Sequence, residues 1–317
     1  MANDSMMKRR GGCRRVGGGT LTALAMLMTS AIAQAQEAPQ PAPVAAAGGG
    51  SVNLNPKRVT FDRPGKSATV SVGTGGTPGG AAAGYTVELI DRVMLPDGQI
   101  VPVADAAASP EAARLKSAKA YLVVTPRRIR VAQGSGQAIR IRAGAGTDLA
   151  PGEYRSHLTV TGIPPADTGL TAEQAAGRSE GELSFRINSV LAISIPVILR
   201  VGPVDVRAAI EGAKISFDTI STDGRSAPVR TAVLNFDLVR QGANSLYGDL
   251  EVRGSRGRGD EPIGAMRGIG VYPEIDRRQV KIPLTRIPAS GEQIEIEFRD
   301  DDTSPGKVLS KVSLAAP

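Results

Sequence analysis

The chain carries one cysteine, one histidine and no tryptophan, and aromatic residues make up 3% of its 317 positions. Cys13 and His157 are too few to build a soft-ligand metal site or a cysteine- or histidine-based nucleophile system. Cys13 also precedes residue 36, so the chain beyond that point has no thiol and no disulfide to staple it. A large charge of one sign is missing as well. The formal net charge is +7, but Lys8, Arg9, Arg10, Arg14 and Arg15 supply five of the 38 basic residues and Asp4 one of the 31 acidic ones. Beyond residue 35 the balance falls to +3, which gives little reason to expect a nucleic-acid partner. No glycine-rich phosphate loop, Ser–His–Asp order or metal-spaced cluster occurs, and Asp300, Asp301 and Asp302 lack the spaced ligands of a calcium loop. The expectation is a protein without enzymatic activity, cofactor or metal.

The one long apolar run, Thr20 to Ala33, has 14 residues, short of the roughly 20 that span a bilayer. A basic stretch precedes it, and the small-x-small triplet Ala33, Gln34, Ala35 follows it, which is the pattern of a cleavable export signal over residues 1–35. Residues 36–51 have no periodicity and read as a disordered leader. The mature chain is expected to be exported, with no stable membrane insertion.

Glycine and proline, 38 and 22 residues, punctuate short runs of Val, Ile, Leu and Thr. This spacing, with only Ser109 to Ala118 looking helical, predicts antiparallel β-sandwiches. Tyr154 follows the turn at Pro151 and Gly152 and heads a strand, the arrangement of a tyrosine corner in immunoglobulin-like folds. Alternation then puts Tyr154, Ser156, Leu158 and Val160 on one face. Arg155, His157, Thr159 and Thr161 fall on a polar face, where His157 is expected to be solvated. Arg128, Arg130, Arg140 and Arg142 alternate with aliphatic residues and read as a basic outer face.

Residues 182–201 form the longest strand candidate. Phe185, Ile187, Leu191 and Ile193 share its apolar face, and Pro196 cannot donate a ladder bond, which puts that part at a sheet edge or bulge. A long apolar edge strand is normally an aggregation hazard. Its retention suits pairing with another chain by strand addition, whereas the alternative is that it covers its own core. Gly202 and Pro203 end it and mark a boundary between domains at 52–202 and 203–317.

Residues 52–202 resemble the N-terminal domain of PapD-like periplasmic pilus-assembly chaperones. The likeness is carried by the opening Val52 to Asp62, by Tyr121 to Arg128, by Gln137 to Arg142 and by the strand Val190 to Arg200, in that order. The resemblance implies an all-β protein of two immunoglobulin-like β-sandwich domains in tandem, arranged as a boomerang. It implies a chaperone that caps a pilus subunit by donor-strand complementation and passes it to an outer-membrane usher. Phe185, Ile187, Leu191 and Ile193 would then be donor positions. Arg58 falls on the family's first anchor for the subunit's terminal carboxylate. The second anchor, a lysine in the family, falls on Pro196; either Arg200 or another residue substitutes, or the carboxylate is held differently. The rival reading is a secreted structural immunoglobulin-like surface or fibre component, distinguished by polymer formation without a client.

Overall fold

The computed structural model describes residues 51–144, 149–164, 190–221, 224–256 and 262–317. The predicted signal, the predicted leader up to residue 50, and the candidate donor residues Phe185 and Ile187 lie outside the described residues.

The fold is all-β, as the spacing of apolar runs predicts. Two sheets form the first sandwich. One contains Val52–Asn55 (β1), Ser67–Thr74 (β3), Gly136–Ala143 (β9) and Leu122–Thr125 (β7), in that order. The other runs Val59–Phe61 (β2), Ala192–Val201 (β11), Gly152–Gly162 (β10), Ala82–Ile90 (β4) and Arg128–Ala132 (β8). The opening segment therefore contributes to both sheets, changing over between Asn55 and Val59. Its core interleaves Leu54, Val70, Val72, Ile139 and Ile141 with Val87, Leu158, Val160, Val197 and Leu199. The predicted tyrosine corner is present: the Tyr154 hydroxyl donates to the Ala150 carbonyl at 3.0 Å, and the ring meets Tyr121 edge-on at 5.7 Å.

The second sandwich packs Ala208–Ile220 (β12), Val229–Arg240 (β13) and Arg277–Pro283 (β16) against a four-stranded sheet. That sheet runs Gly264–Val271 (β15), Leu246–Gly254 (β14), Gln293–Asp300 (β17) and Val308–Ala315 (β18). Phe236, Leu238, Leu250, Ile294, Ile296 and Phe298 fill it. Met94 and Ile198, both from before the Gly202–Pro203 boundary, join this second core. Met94 comes from a separate hairpin of Arg92–Met94 (β5) and Ile100–Pro102 (β6). The hairpin leans on the second sandwich, where the Gln279 N–H donates to the Pro96 carbonyl at 2.9 Å. The short helix Pro110–Arg114 (α1) is N-capped by the Ser109 hydroxyl, which accepts from the Ala112 N–H at 3.1 Å.

Three expectations are corrected. Both faces of β10 are buried, and His157 is 2% exposed. The alternation correctly separated a polar from an apolar face, but the polar face is roofed by the β5–β6 hairpin and the second sandwich, not by water. The described strand before Val201 has 10 residues, fewer than the 13 of β12. Pro126 separates β7 from β8, which belong to different sheets. Arg128 and Arg130 are consequently exposed on one sheet and Arg140 and Arg142 on the other, so they do not make one basic face.

Candidate functional site

The site is built where β11, β2 and β10 meet the β17–β18 hairpin and the start of β14. Within β10 and β11 the register pairs Gly152 with Val201 and Thr161 with Ala192. The same register makes the Gly162 N–H bond to the Leu191 carbonyl (2.9 Å) a hydrogen-bonded pair. By alternation Ile193, Ile195 and Val197 point their main-chain groups at β10, and those of Ala192, Ser194, Pro196 and Ile198 point to the opposite edge. Pro196 therefore costs no bond to β10. On that opposite edge β2 pairs in parallel with Val197 to Leu199 only. Among the described residues, Ala192 to Pro196 have no strand on this side. The placement expected from Pro196 is the one observed, an unpaired edge inside a well-paired strand.

Arg58 immediately precedes β2 and stands beside this open edge, because Val59 is the first residue of β2 in register, opposite Val197. Its side chain is 7% exposed. Nη2 donates to the Ser245 hydroxyl at 3.0 Å and to Asp302 Oδ2 at 3.1 Å. The guanidinium lies 4.7 Å from the Tyr247 ring centre and 5.7 Å from that of Tyr272, close enough for cation–π attraction. Arg58 Nε and Nη1 are buried without a partner, a costly state for donors on a charged group.

Arg200, at the far end of β11, reaches the same acceptor. Its Nη2 donates to Asp302 Oδ2 at 2.6 Å, Nη1 to the Thr303 hydroxyl at 3.2 Å and Nε to Glu153 Oε2 at 3.1 Å. Glu153 Oε2 also accepts from the Ser245 N–H at 3.1 Å. Burial works against the charge on Arg200, but Glu153 and Asp302 outweigh it and raise its pKa. Burial would likewise raise the Asp302 pKa, yet Arg58 and Arg200 hold it below the usual carboxylate range. Asp300 Oδ1 and Oδ2 accept from the N–H groups of Asp302 and Ser304 at 3.1 and 2.6 Å, which fixes the loop that presents Asp302. The acidic triplet is thus an arginine partner and its support, not a cation site. Two arginines and two carboxylates leave this cluster with no net charge.

A second buried cluster lies one pair further along β10. Arg155, 1% exposed, is ion-paired to Glu274, donates to the Arg92 carbonyl at 3.1 Å and stacks 3.8 Å from the Tyr272 ring centre. Burial lowers its pKa to about 10. Glu274 Oε1 also accepts from the Met94 N–H at 2.9 Å. His157 lies beside Arg155, and burial together with the positive charge of Arg155, Arg92 and Arg58 lowers its pKa to about 2, so it is neutral.

Of the residues singled out in the sequence, Arg58 and Arg200 are brought together on one carboxylate. Leu191 is 52% exposed at the start of the open edge. Ile193 is partly buried against the core of its own sandwich. Glu153, Ser245 and Tyr247 were not singled out, and Asp302 was considered only as part of an acidic run that does not form a calcium loop. No local pattern assigns them to one site, because the contacts that join Asp302 to Arg58 and Arg200 span 244 and 102 positions.

No family model and no curated protein matches the chain. Among solved structures it is similar to the E. coli chaperone DraB, with 15% identity over 84% of this chain and 98% of that one and a TM-score of 0.37. It is similar to the Salmonella enterica SafA pilin in complex with the SafB chaperone, with 16% identity over 84% and 96% and a TM-score of 0.38. A Pseudomonas aeruginosa chaperone, CupB2, gives 12% identity over 84% and 100% and a TM-score of 0.39.

Proposed function

We propose that this protein is a non-enzymatic periplasmic chaperone of the PapD-like kind, which caps pilus or fimbrial subunits by lending them the open edge of β11 and hands them to an outer-membrane usher. The observation that carries the reading is the junction at Pro196. There the pairing with β2 stops, Ala192 and Ser194 offer their main-chain groups outward, and Arg58 holds two buried donors without partners. A client strand laid along Ala192 to Ile195 with its terminus at Arg58 runs parallel to β11. Its terminal carboxylate meets a guanidinium, which can take it by two parallel bonds. Leu191 supplies apolar surface at the start of this edge, and Ile193 continues it towards the core; Phe185 and Ile187 would extend it. Arg200 takes part through Asp302, which already occupies the space between the two arginines.

The same reading takes residues 1–35 as a cleaved export signal, 52–202 as the chaperone domain and 203–317 as the second domain, with no cofactor. In the test, the mature chain is produced in the periplasm and purified with its client, and hydrogen exchange is followed by mass spectrometry. A co-purifying fibre subunit should protect the Ala192 and Ser194 amides, and deleting the subunit's C-terminal residues should remove that protection. Self-polymers without a client would instead establish a structural fibre component.

A further inference from the structure

A groove on the opposite side of the first sandwich is used by nothing described so far. Among the described residues β7 is the last strand of its sheet and pairs with β9 on one side only. The Gly144 N–H donates to the Tyr121 carbonyl at 2.7 Å, which in this register makes Tyr121, Val123 and Thr125 the residues that face β9. The main-chain groups of Leu122 and Val124 therefore face outward. Across the sandwich, β4 pairs with β8 only as far as Thr86, and the Val87 N–H closes the end by donating to the Arg127 carbonyl at 2.9 Å. Between the two edges lies a groove of about 460 Å³.

The floor of the groove is apolar, from Val87, Leu89, Leu122 and Val124, while Lys119, Arg127 and Arg128 stand at its rim against a single acid, Glu88. Arg142 and Arg140 sit opposite Val123 and Thr125 on the outer face of the same sheet, and both are exposed. None of these five cations has an ion-pair partner among the described residues, whereas elsewhere the surface arginines Arg207, Arg267 and Arg277 are paired. An extended chain added to β7 would put alternate side chains over the apolar floor and the others beside Val123 and Thr125, with Arg140 and Arg142 one strand further on, about 10 Å away and within reach of long side chains.

We propose that this groove docks an acidic extended segment of a partner protein, about four to six residues long, by strand addition to β7, with apolar and acidic residues alternating. The edge supplies main-chain bonds, the floor takes the apolar residues, and the unpaired cations select acidic ones. The inference is independent of the client site at Arg58.

The probe is a fluorescent hexapeptide of alternating Val and Glu with both ends blocked, titrated into the purified chain at low salt and followed by anisotropy. Binding is expected, with affinity falling as salt rises and by roughly tenfold in the Lys119→Glu, Arg142→Glu double variant. Both of those side chains are exposed, and circular dichroism confirms that the variant is folded. N-methylation of the peptide distinguishes pairing from adsorption. Methylated valines abolish binding if the strand adds antiparallel, and methylated glutamates do so if it adds parallel. Three results would overturn the proposal: no binding, binding indifferent to both methylated peptides, or binding to phosphatidylglycerol vesicles but not to the peptide.

Discussion

Arg58 and Arg200 reach the same oxygen, Oδ2 of Asp302, from opposite ends of the β2–β11 pairing, at 3.1 and 2.6 Å. One carboxylate from the second sandwich thereby ties two elements of the first. It also balances the positive charge at the place where a client's terminal carboxylate is proposed to arrive. Glu153 completes the balance by accepting from Arg200 and from the Ser245 N–H.

Replacing Asp302 with Asn keeps the shape and removes the charge. Arg58 and Arg200 would then lose their shared counter-charge while remaining buried, a change that typically costs about 3–5 kcal/mol. Urea unfolding should show a lower midpoint with an unchanged slope. A double-mutant cycle with Arg58→Met should show strong coupling, since both changes remove one contact. Additive losses would mean that the 3.1 Å contact contributes nothing.

Arg58→Ala should weaken client binding by roughly ten- to a hundredfold, the range for a charge-assisted bidentate contact. Because Arg58 is buried against Tyr247 and Tyr272, the same variant also loses packing, so a fall in thermal midpoint is expected as well. Comparing subunits that end in a free carboxylate and in an amide separates the two effects. The amide form should bind the parent and the variant alike. An equal loss for both forms would assign Arg58 to the fold alone.

Leu191→Asp should leave the thermal midpoint within a degree or two, because the side chain is half exposed. The same substitution should abolish client capture. Ile193→Asp should lower the midpoint by several degrees, since Ile193 packs against the core and an unpaired carboxylate is costly there. Full client capture by Leu191→Asp would remove it from the lending edge.

Acid should destabilise the protein from an unusually high pH. His157 is the only histidine and is held neutral in the fold, with its pKa lowered to about 2, whereas an unfolded histidine titrates near 6.5. Below pH 6.5 the unfolded chain therefore binds more protons, so stability is full above that value and is lost as pH falls towards 2. The limiting slope is about 1.4 kcal/mol per pH unit. The depressed Asp302 pKa acts in the same direction but only below the ordinary carboxylate range, near pH 4. Urea midpoints measured between pH 7 and 5 should fall for the parent and stay nearly flat for His157→Gln. A flat parent curve over that interval would show that His157 is solvated.

Arg155 and Glu274 should behave as a buried pair. Arg155→Met alone is expected to cost about 3–5 kcal/mol, because Glu274 is left charged and 1% exposed. Adding Glu274→Leu should recover much of that loss, measured as urea midpoints of the two single variants and the double. No recovery in the double variant would mean that the Glu274 bond to the Met94 N–H, not the ion pair, is what matters there.

The sequence by itself determined the all-β class, the tyrosine corner at Tyr154 and the edge position implied by Pro196. Each of these depends on nearest neighbours: alternation with period two, a turn followed at once by a tyrosine, and a residue with no N–H to give. Tertiary structure decided which faces meet water and which charges meet each other. His157 lies on the polar side of its strand as alternation requires, yet a hairpin and a second sandwich cover that side, and no local pattern encodes a roof that distant. Arg58 was found by resemblance, but its partner Asp302 is 244 positions away. Only the packing of one sandwich on the other brings a carboxylate to two arginines, because a buried guanidinium must be neutralised by whatever acid the fold delivers, wherever in the chain it lies.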